Sequence, residues 1–167
     1  MIGGQLTISG NDALTNIDFQ LLATIGGHLT ISNNVDLDAP VEGFDSLQSI
    51  DGNLMLEVLP KFNSPKFPVL RRVTGKLWVS DVGQVEDQSI ILTSLRELGS
   101  TLTIDRFAGN HVDLSSLQST QAKVTFSNNP WLQEVLFPDD AELGGTLLLH
   151  NNSSLVNLES FAALSRI

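Results

Sequence analysis

The sequence predicts a mainly β, leucine-rich solenoid of about seven coils, with a parallel sheet on one face and little regular helix. Three observations carry that prediction. The first is a phrase that occurs seven times in 167 residues. It reads Ile-Gly-Gly-Gln-Leu-Thr-Ile from Ile2 and Ile-Gly-Gly-His-Leu-Thr-Ile from Ile25. Later copies start at Ile50, Val73, Leu98, Thr120 and Leu143. The second is spacing. The central apolar residue of each phrase falls at Leu6, Leu29, Leu54, Leu77, Leu102, Val124 and Leu147, at intervals of 23, 25, 23, 25, 22 and 23. A period in this range marks a solenoid whose coils bury their apolar sides only against their neighbours. The third is alternation. Leu6 and Ile8 are apolar, while Gln5, Thr7 and Ser9 between and around them are polar, and the pattern returns in every copy. This is the period-2 signature of a half-buried strand.

Each coil can now be read in order from its anchor. Seven stacked strands about 4.8 Å apart would span roughly 29 Å. Two further apolar columns close the core. Eight residues past the anchor come Leu14, Leu37, Phe62, Val85, Leu132 and Leu155, with Val112 or Leu114 standing in for Asn110 on coil 5. Seven residues before the next anchor come Leu22, Leu47, Leu70, Leu95, Leu117 and Leu164, a column that coil 6 breaks with Asp140. The six prolines (Pro40, Pro60, Pro65, Pro68, Pro130 and Pro138) all fall outside the strand phrases, as suits a residue without an amide donor. Gly4, Gly27, Gly52, Gly75 and Gly145 stand two residues before the anchor. A positive φ or a close backbone approach would require them there. Five residues past the anchor stand Asn11, Asn34, Asn129 and Asn152. Pointing inward at one height, they form a structural ladder that satisfies buried backbone groups.

Composition narrows the function classes. The apolar fraction is 41% and the charged fraction 17%, the balance of one ordered domain, 1–167, with a substantial core. A net charge of -10 argues against nucleic acid as a partner, because phosphate recognition needs a basic patch. Without cysteine there is no thiol nucleophile, zinc-thiolate site or disulfide framework. No apolar run suggests direct membrane insertion. Met1 leads straight into the first phrase, and Ile167 stands where an eighth would begin. The expectation is a part of a longer array, with flanking repeats of the same chain as neighbours and any signal or anchor outside it.

The repeated strand with its Asn exit (Leu29-Thr30-Ile31-Ser32-Asn33-Asn34) and the lead-in Phe44-Asp45-Ser46-Leu47 through Leu54 resemble the receptor L-domain family. These irregular leucine-rich repeats occur in insulin- and epidermal-growth-factor-type receptor ectodomains, fungal cell-wall glycoproteins and bacterial surface proteins. The resemblance spans the whole chain. It implies a right-handed, β-helix-like solenoid in a surface or secreted protein, with an extracellular ligand-binding or adhesive role. The cysteine-rich modules of the animal receptors are absent, so a growth-factor receptor is not implied. No ligand-contact residue carries over.

Candidate site residues lie on the outward face of the strands. Its middle row reads Thr7, Thr30, Met55, Trp78, Thr103, Thr125 and Leu148; the row beside it reads Ser9, Ser32, Glu57, Ser80, Asp105, Ser127 and His150. Mostly this is an ordinary exposed sheet. Met55 and Trp78 interrupt it on coils 3 and 4, where Val58-Leu59, Val82 and Arg106-Phe107 also replace the Asn exit. Met55, Trp78, Glu57, Lys76 and Asp105 are therefore the expected contacts for a protein or glycan ligand, since Met and aromatic residues are enriched at interface centres. Competing readings are a structural spacer or wall-packing module, an ice-binding Thr array that Met55, Trp78 and Leu148 interrupt, and a β-helix carbohydrate-active enzyme.

Catalysis lacks a constellation. His28, His111 and His150 are scattered, and Glu57 and Asp105 stand two coils apart, roughly 10 Å, beyond the usual carboxylate pair of an inverting glycosidase. We expect no enzyme, cofactor or metal. Asp36/Asp38 and Asp139-Asp140 lack the calcium-solenoid motif and read as solvated turns. Asn151-Asn152-Ser153-Ser154 holds two overlapping glycosylation sequons, of which Asn151 is the better acceptor because Asn152 should point inward.

Overall fold

The computed structural model describes residues 1–38, 42–62, 65–83, 88–158 and 161. Of the residues assigned above, Pro40, Val85, Leu164 and Ile167 lie outside those described. The chain is a β-solenoid of stacked parallel strands with almost no helix, apart from a 3-10 turn at Glu42–Phe44. Seven strands form the main sheet in chain order: Leu6–Ser9, Leu29–Ser32, Leu54–Leu59, Leu77–Val82, Leu102–Phe107, Val124–Ser127 and Leu147–His150. Every anchor pairs with the next: Leu6 with Leu29, Leu29 with Leu54, and on to Val124 with Leu147. The inward residues of the inner coils (Leu29, Ile31, Leu77, Val79, Leu102 and Ile104) are fully buried. Identical registers on every rung follow from identical alternation, because a one-residue slip would turn all inward Leu and Ile to solvent.

Two smaller parallel sheets accompany the main sheet, one of six strands and one of three. The first runs from Thr24–Ile25 to Glu142–Leu143 and is formed by the residues that open each phrase. The bend between it and the main sheet is the glycine position. A Cβ on Gly52 would lie 2.8 Å from the backbone of Gly27, and one on Gly75 2.8 Å from that of Gly52. Neither glycine has a positive φ. Close approach between successive coils is thus the requirement. The third sheet, Ser89–Ile91, His111–Asp113 and Glu134–Leu136, lies on the return side. Sequence reading did not anticipate it, because three residues are too few to show a period.

The return side also holds a column that the reading of the sequence passed over. Phe19, Phe44, Phe67, Leu92, Leu114, Phe137 and Phe161 pack along the axis. Phe44 stacks between Phe19 (5.7 Å) and Phe67 (5.5 Å). In coils 1 to 5 the column residue's carbonyl accepts from the amide three residues on, as Phe44 does from Leu47. Coil 6 has one residue more here. Its turn runs from Pro138 O to Ala141 N, and Ala141 is buried where Asp140 is exposed. The core column therefore continues through coil 6 one residue later than the spacing indicates. On coil 5 both Val112 and Leu114 are buried in place of Asn110.

Strands leave the main sheet through one recurring conformation. The residue four past each anchor has φ between 48° and 68° in all seven coils: Gly10, Asn33, Val58, Asp81, Arg106, Asn128 and Asn151. Glycine and asparagine adopt this left-handed region readily, whereas a β-branched residue does so only under strain. Val58 has φ 51° and 41% of its surface exposed, so it suffers the strain with little packing in return. Val58→Asn, the residue that three other coils use, is expected to raise stability by about 1 kcal/mol. Thermal or urea unfolding tests it, and a lower midpoint would show that the Val58 side chain packs better than its exposure indicates.

Candidate recognition face

The outward face of the main sheet brings Met55, Trp78 and Lys76 together. Met55 pairs across the strands with Trp78, and Trp78 with Thr103. The Lys76 ammonium lies 5.2 Å from the centre of the Trp78 ring, a cation–π distance. Met55 and Trp78 are half-buried rather than freely exposed. The Trp78 indole N–H is enclosed with no acceptor among the described residues. Glu57, Ser80 and Asp105 lie in register on successive rungs, so Glu57 and Asp105 stay two coils apart as expected.

The apolar residues that replace the Asn exit on the central coils divide, for Val58 is exposed. Leu59, Val82 and Phe107 are fully buried, because strands 54–59, 77–82 and 102–107 run to six residues where the outer ones have four. Asp105, one of the expected ligand contacts, is nearly buried. It is 8% exposed, and its carboxylate accepts from Ser127 Oγ (2.7 Å), Asn128 Nδ2 (2.8 Å) and the Arg106 guanidinium.

That carboxylate belongs to a network across coils 4 to 7. Arg106 grips Asp81 with a two-pronged contact, Nε to Oδ1 at 2.6 Å and Nη2 to Oδ2 at 2.8 Å, and Nη2 also donates to Ser80 Oγ at 3.0 Å. Asn151 Nδ2 donates to Asn128 Oδ1 at 3.0 Å. The Arg106 hydrogen bonds hold the Asp81 carboxyl below its usual range, with a further contribution from Ser80, against an opposing effect of burial. Asp81 correspondingly raises the already high Arg106 pKa. One cation between two anions leaves the cluster a net negative charge. Sequence reading missed Asp81, Asn128 and Ser80 as a group. The available signal was the position four past the anchor, where the left-handed turn swings each side chain against the neighbouring row.

The row at the strand entrances is structural as well as exposed. His28 Nδ1 accepts from the Asn53 amide at 2.9 Å, and Asn53 Oδ1 from the Lys76 amide at 2.9 Å. Of the four Asn five residues past the anchors, Asn34, Asn129 and Asn152 bond backbone groups of the preceding coil, and Asn11 is exposed. Asn34 Oδ1 accepts from the Asn11 amide (3.0 Å) while its Nδ2 donates to Ile8 O (2.9 Å); Asn129 and Asn152 repeat the scheme on coils 6 and 7. Just beyond the network, Arg106, Phe107, Ala108, Asn128, Pro130 and Trp131 line a shallow cleft of about 210 Å³. Trp131 is 43% exposed there. Its place outside the strand phrase had given it no weight in the sequence.

No family model matches the chain, and no solved structure matches it. Among curated proteins, a cell-surface GPI-anchored protein of Arthroderma benhamiae is 38% identical over 72 residues. That stretch is 43% of this chain but only 18% of the relative's length.

Proposed function

We propose that the chain is a non-catalytic recognition module of the receptor L-domain kind, displayed at a cell surface, that binds a protein or glycan through the face of its central coils. The similarity to a fungal cell-surface protein supports the location. The observation that carries the binding role is the break in the middle row. Thr occupies four of its seven rungs, but Met55 and Trp78 sit side by side on coils 3 and 4 with Lys76 over the indole. A half-buried aromatic beside a flexible apolar side chain and a cation suits an interface centre.

A screen of the purified chain against glycan and extracellular-protein arrays tests this, with Trp78→Thr beside wild type. Thr is already the residue of that row, and removing the indole also removes an enclosed, unpaired N–H. The variant should therefore lose less than about 1.5 kcal/mol of stability while losing a wild-type hit at least tenfold in affinity. A loss of stability as large as a core truncation would sink the exposed-site reading. One observation favours a second function, a structural spacer. Three charged groups of coils 4 and 5, Arg106, Asp81 and Asp105, satisfy one another. A well-folded chain with no array hit would favour it.

A further inference from the structure

We propose that Asn151 carries an N-linked glycan whose first N-acetylglucosamine packs against Trp131. This rests on the cell-surface reading, since such a glycan is acquired on the way there. The sequence offers Asn151-Asn152-Ser153 and Asn152-Ser153-Ser154 equally, and the structure separates them. Asn152 Oδ1 accepts from the Asn129 amide (3.2 Å) and from Asn129 Nδ2 (3.0 Å), and Asn152 Nδ2 donates to Phe126 O at 2.9 Å. Every polar atom of that side chain is turned into the coil below. A sugar on its nitrogen would have to stand between coils 6 and 7, where strands are about 4.8 Å apart.

Asn151 is exposed, in the left-handed conformation at φ 54°. Its Nδ2 spends one hydrogen on Asn128 Oδ1 at 3.0 Å. Glycosylation forms a bond from Nδ2 to C1 of the sugar, breaks the C1–oxygen bond to a lipid pyrophosphate donor and releases one Nδ2 proton. The secondary amide keeps the other hydrogen, so the bond to Asn128 survives the modification.

The same contacts place the first sugar. Asn128 and Pro130 both line the cleft that Trp131 walls. Asn151 is tied to the first, and Ser153 Oγ donates to the carbonyl of the second at 3.2 Å. The acceptor nitrogen thus sits one rung from the lip of the cleft. An exposed indole with polar neighbours is a surface on which the apolar C–H face of a sugar can stack while its hydroxyl and acetamido groups stay hydrated. The proposal accounts for a large aromatic residue left 43% exposed on a face otherwise rich in Ser, Asn and Asp.

The test is secretion of the full chain from a eukaryotic cell, followed by digestion with peptide-N-glycosidase. Wild type should show one mobility shift. Ser153→Ala breaks only the Asn151 sequon and should abolish the shift, while Ser154→Ala breaks only the Asn152 sequon and should keep it. The reverse pattern, or secreted wild type without a shift, overturns the site. For the packing, enzymatic removal of the glycan should lower the Tm of wild type and leave that of Trp131→Ala unchanged; equal changes overturn it. Immunolocalisation of the native protein separates the two failures. A protein at the surface but unglycosylated counts against this inference alone, whereas one retained inside the cell counts against the surface reading.

Discussion

Phe44→Ala is expected to cost about 3–5 kcal/mol, the range for emptying a buried phenylalanine site. The ring is fully buried and stacks on Phe19 above and Phe67 below. Truncation therefore removes two aromatic contacts as well as the transfer of the ring from water. Collapse around the cavity is limited, because the rungs on both sides are pinned in register by the main sheet. Coils 4 and 5 carry Leu92 and Leu114 at this height, so Phe44→Leu should cost only about 1–1.5 kcal/mol. Since each coil contacts only its neighbours, the damage should be local. In hydrogen exchange, the amides of Leu22, Leu47 and Leu70, which close the turns of this column, should lose protection before those on coil 6. A uniform loss along the chain would show the solenoid to unfold as one unit. A cost under 1 kcal/mol would show the column to be loosely packed.

That column also shows what the reading of the sequence passed over. Leu6, Leu29 and their successors were legible because each stands in a period-2 phrase, and the phrase fixes its own register. Phe19, Phe44, Phe67, Leu92, Leu114 and Phe137 each stand ten residues before the next anchor, a fixed interval that the forward count from the preceding anchor (12 to 15 residues) conceals. They align when counted back from the following anchor, three residues ahead of the leucine column on coils 1 to 5. The candidate face divides in the same way. The neighbourhood of Met55, Trp78 and Lys76 was readable from alternation alone. The Asp81–Arg106–Asp105 network was not, because it depends on a left-handed residue that carries Gly, Asn, Val, Asp or Arg in different coils. Conformation repeats there while chemistry does not. The burial of Asp105 follows from that geometry, since the side chains of Arg106 and Asn128 fold over it from positions that a strand would turn away.

Asn129→Ala should be nearly as damaging, and for a reason that unites the two kinds of coil. On coils 3 to 5 the strand runs to six residues, and the backbone itself continues the ladder past the left-handed residue: Gly83 N donates to Leu59 O and Ala108 N to Val82 O. On coil 6 the strand stops at Ser127. The Phe107 amide of coil 5 then has no strand backbone opposite it, and Asn129 Oδ1 accepts it at 2.9 Å while Nδ2 donates to Ile104 O at 3.0 Å. One side-chain amide replaces a missing peptide unit, with its donor and acceptor in the same places. Asn129 is fully buried, so truncation strands a backbone N–H away from water at about 1–3 kcal/mol, and the carbonyl and Asn152 lose partners besides. A total near 3–4 kcal/mol is expected in urea unfolding. Asn129→Leu, which imitates the Leu59 of the longer coils in volume, should not rescue it, because those coils rely on their backbone and not on the leucine for the hydrogen bond. Asn11→Ala, an exposed member of the same column, should cost under about 1 kcal/mol. Equal costs at Asn11 and Asn129 would mean that the column contributes through helping the turn form and not through pairing buried amides. A full rescue by leucine would mean that filling the space is enough.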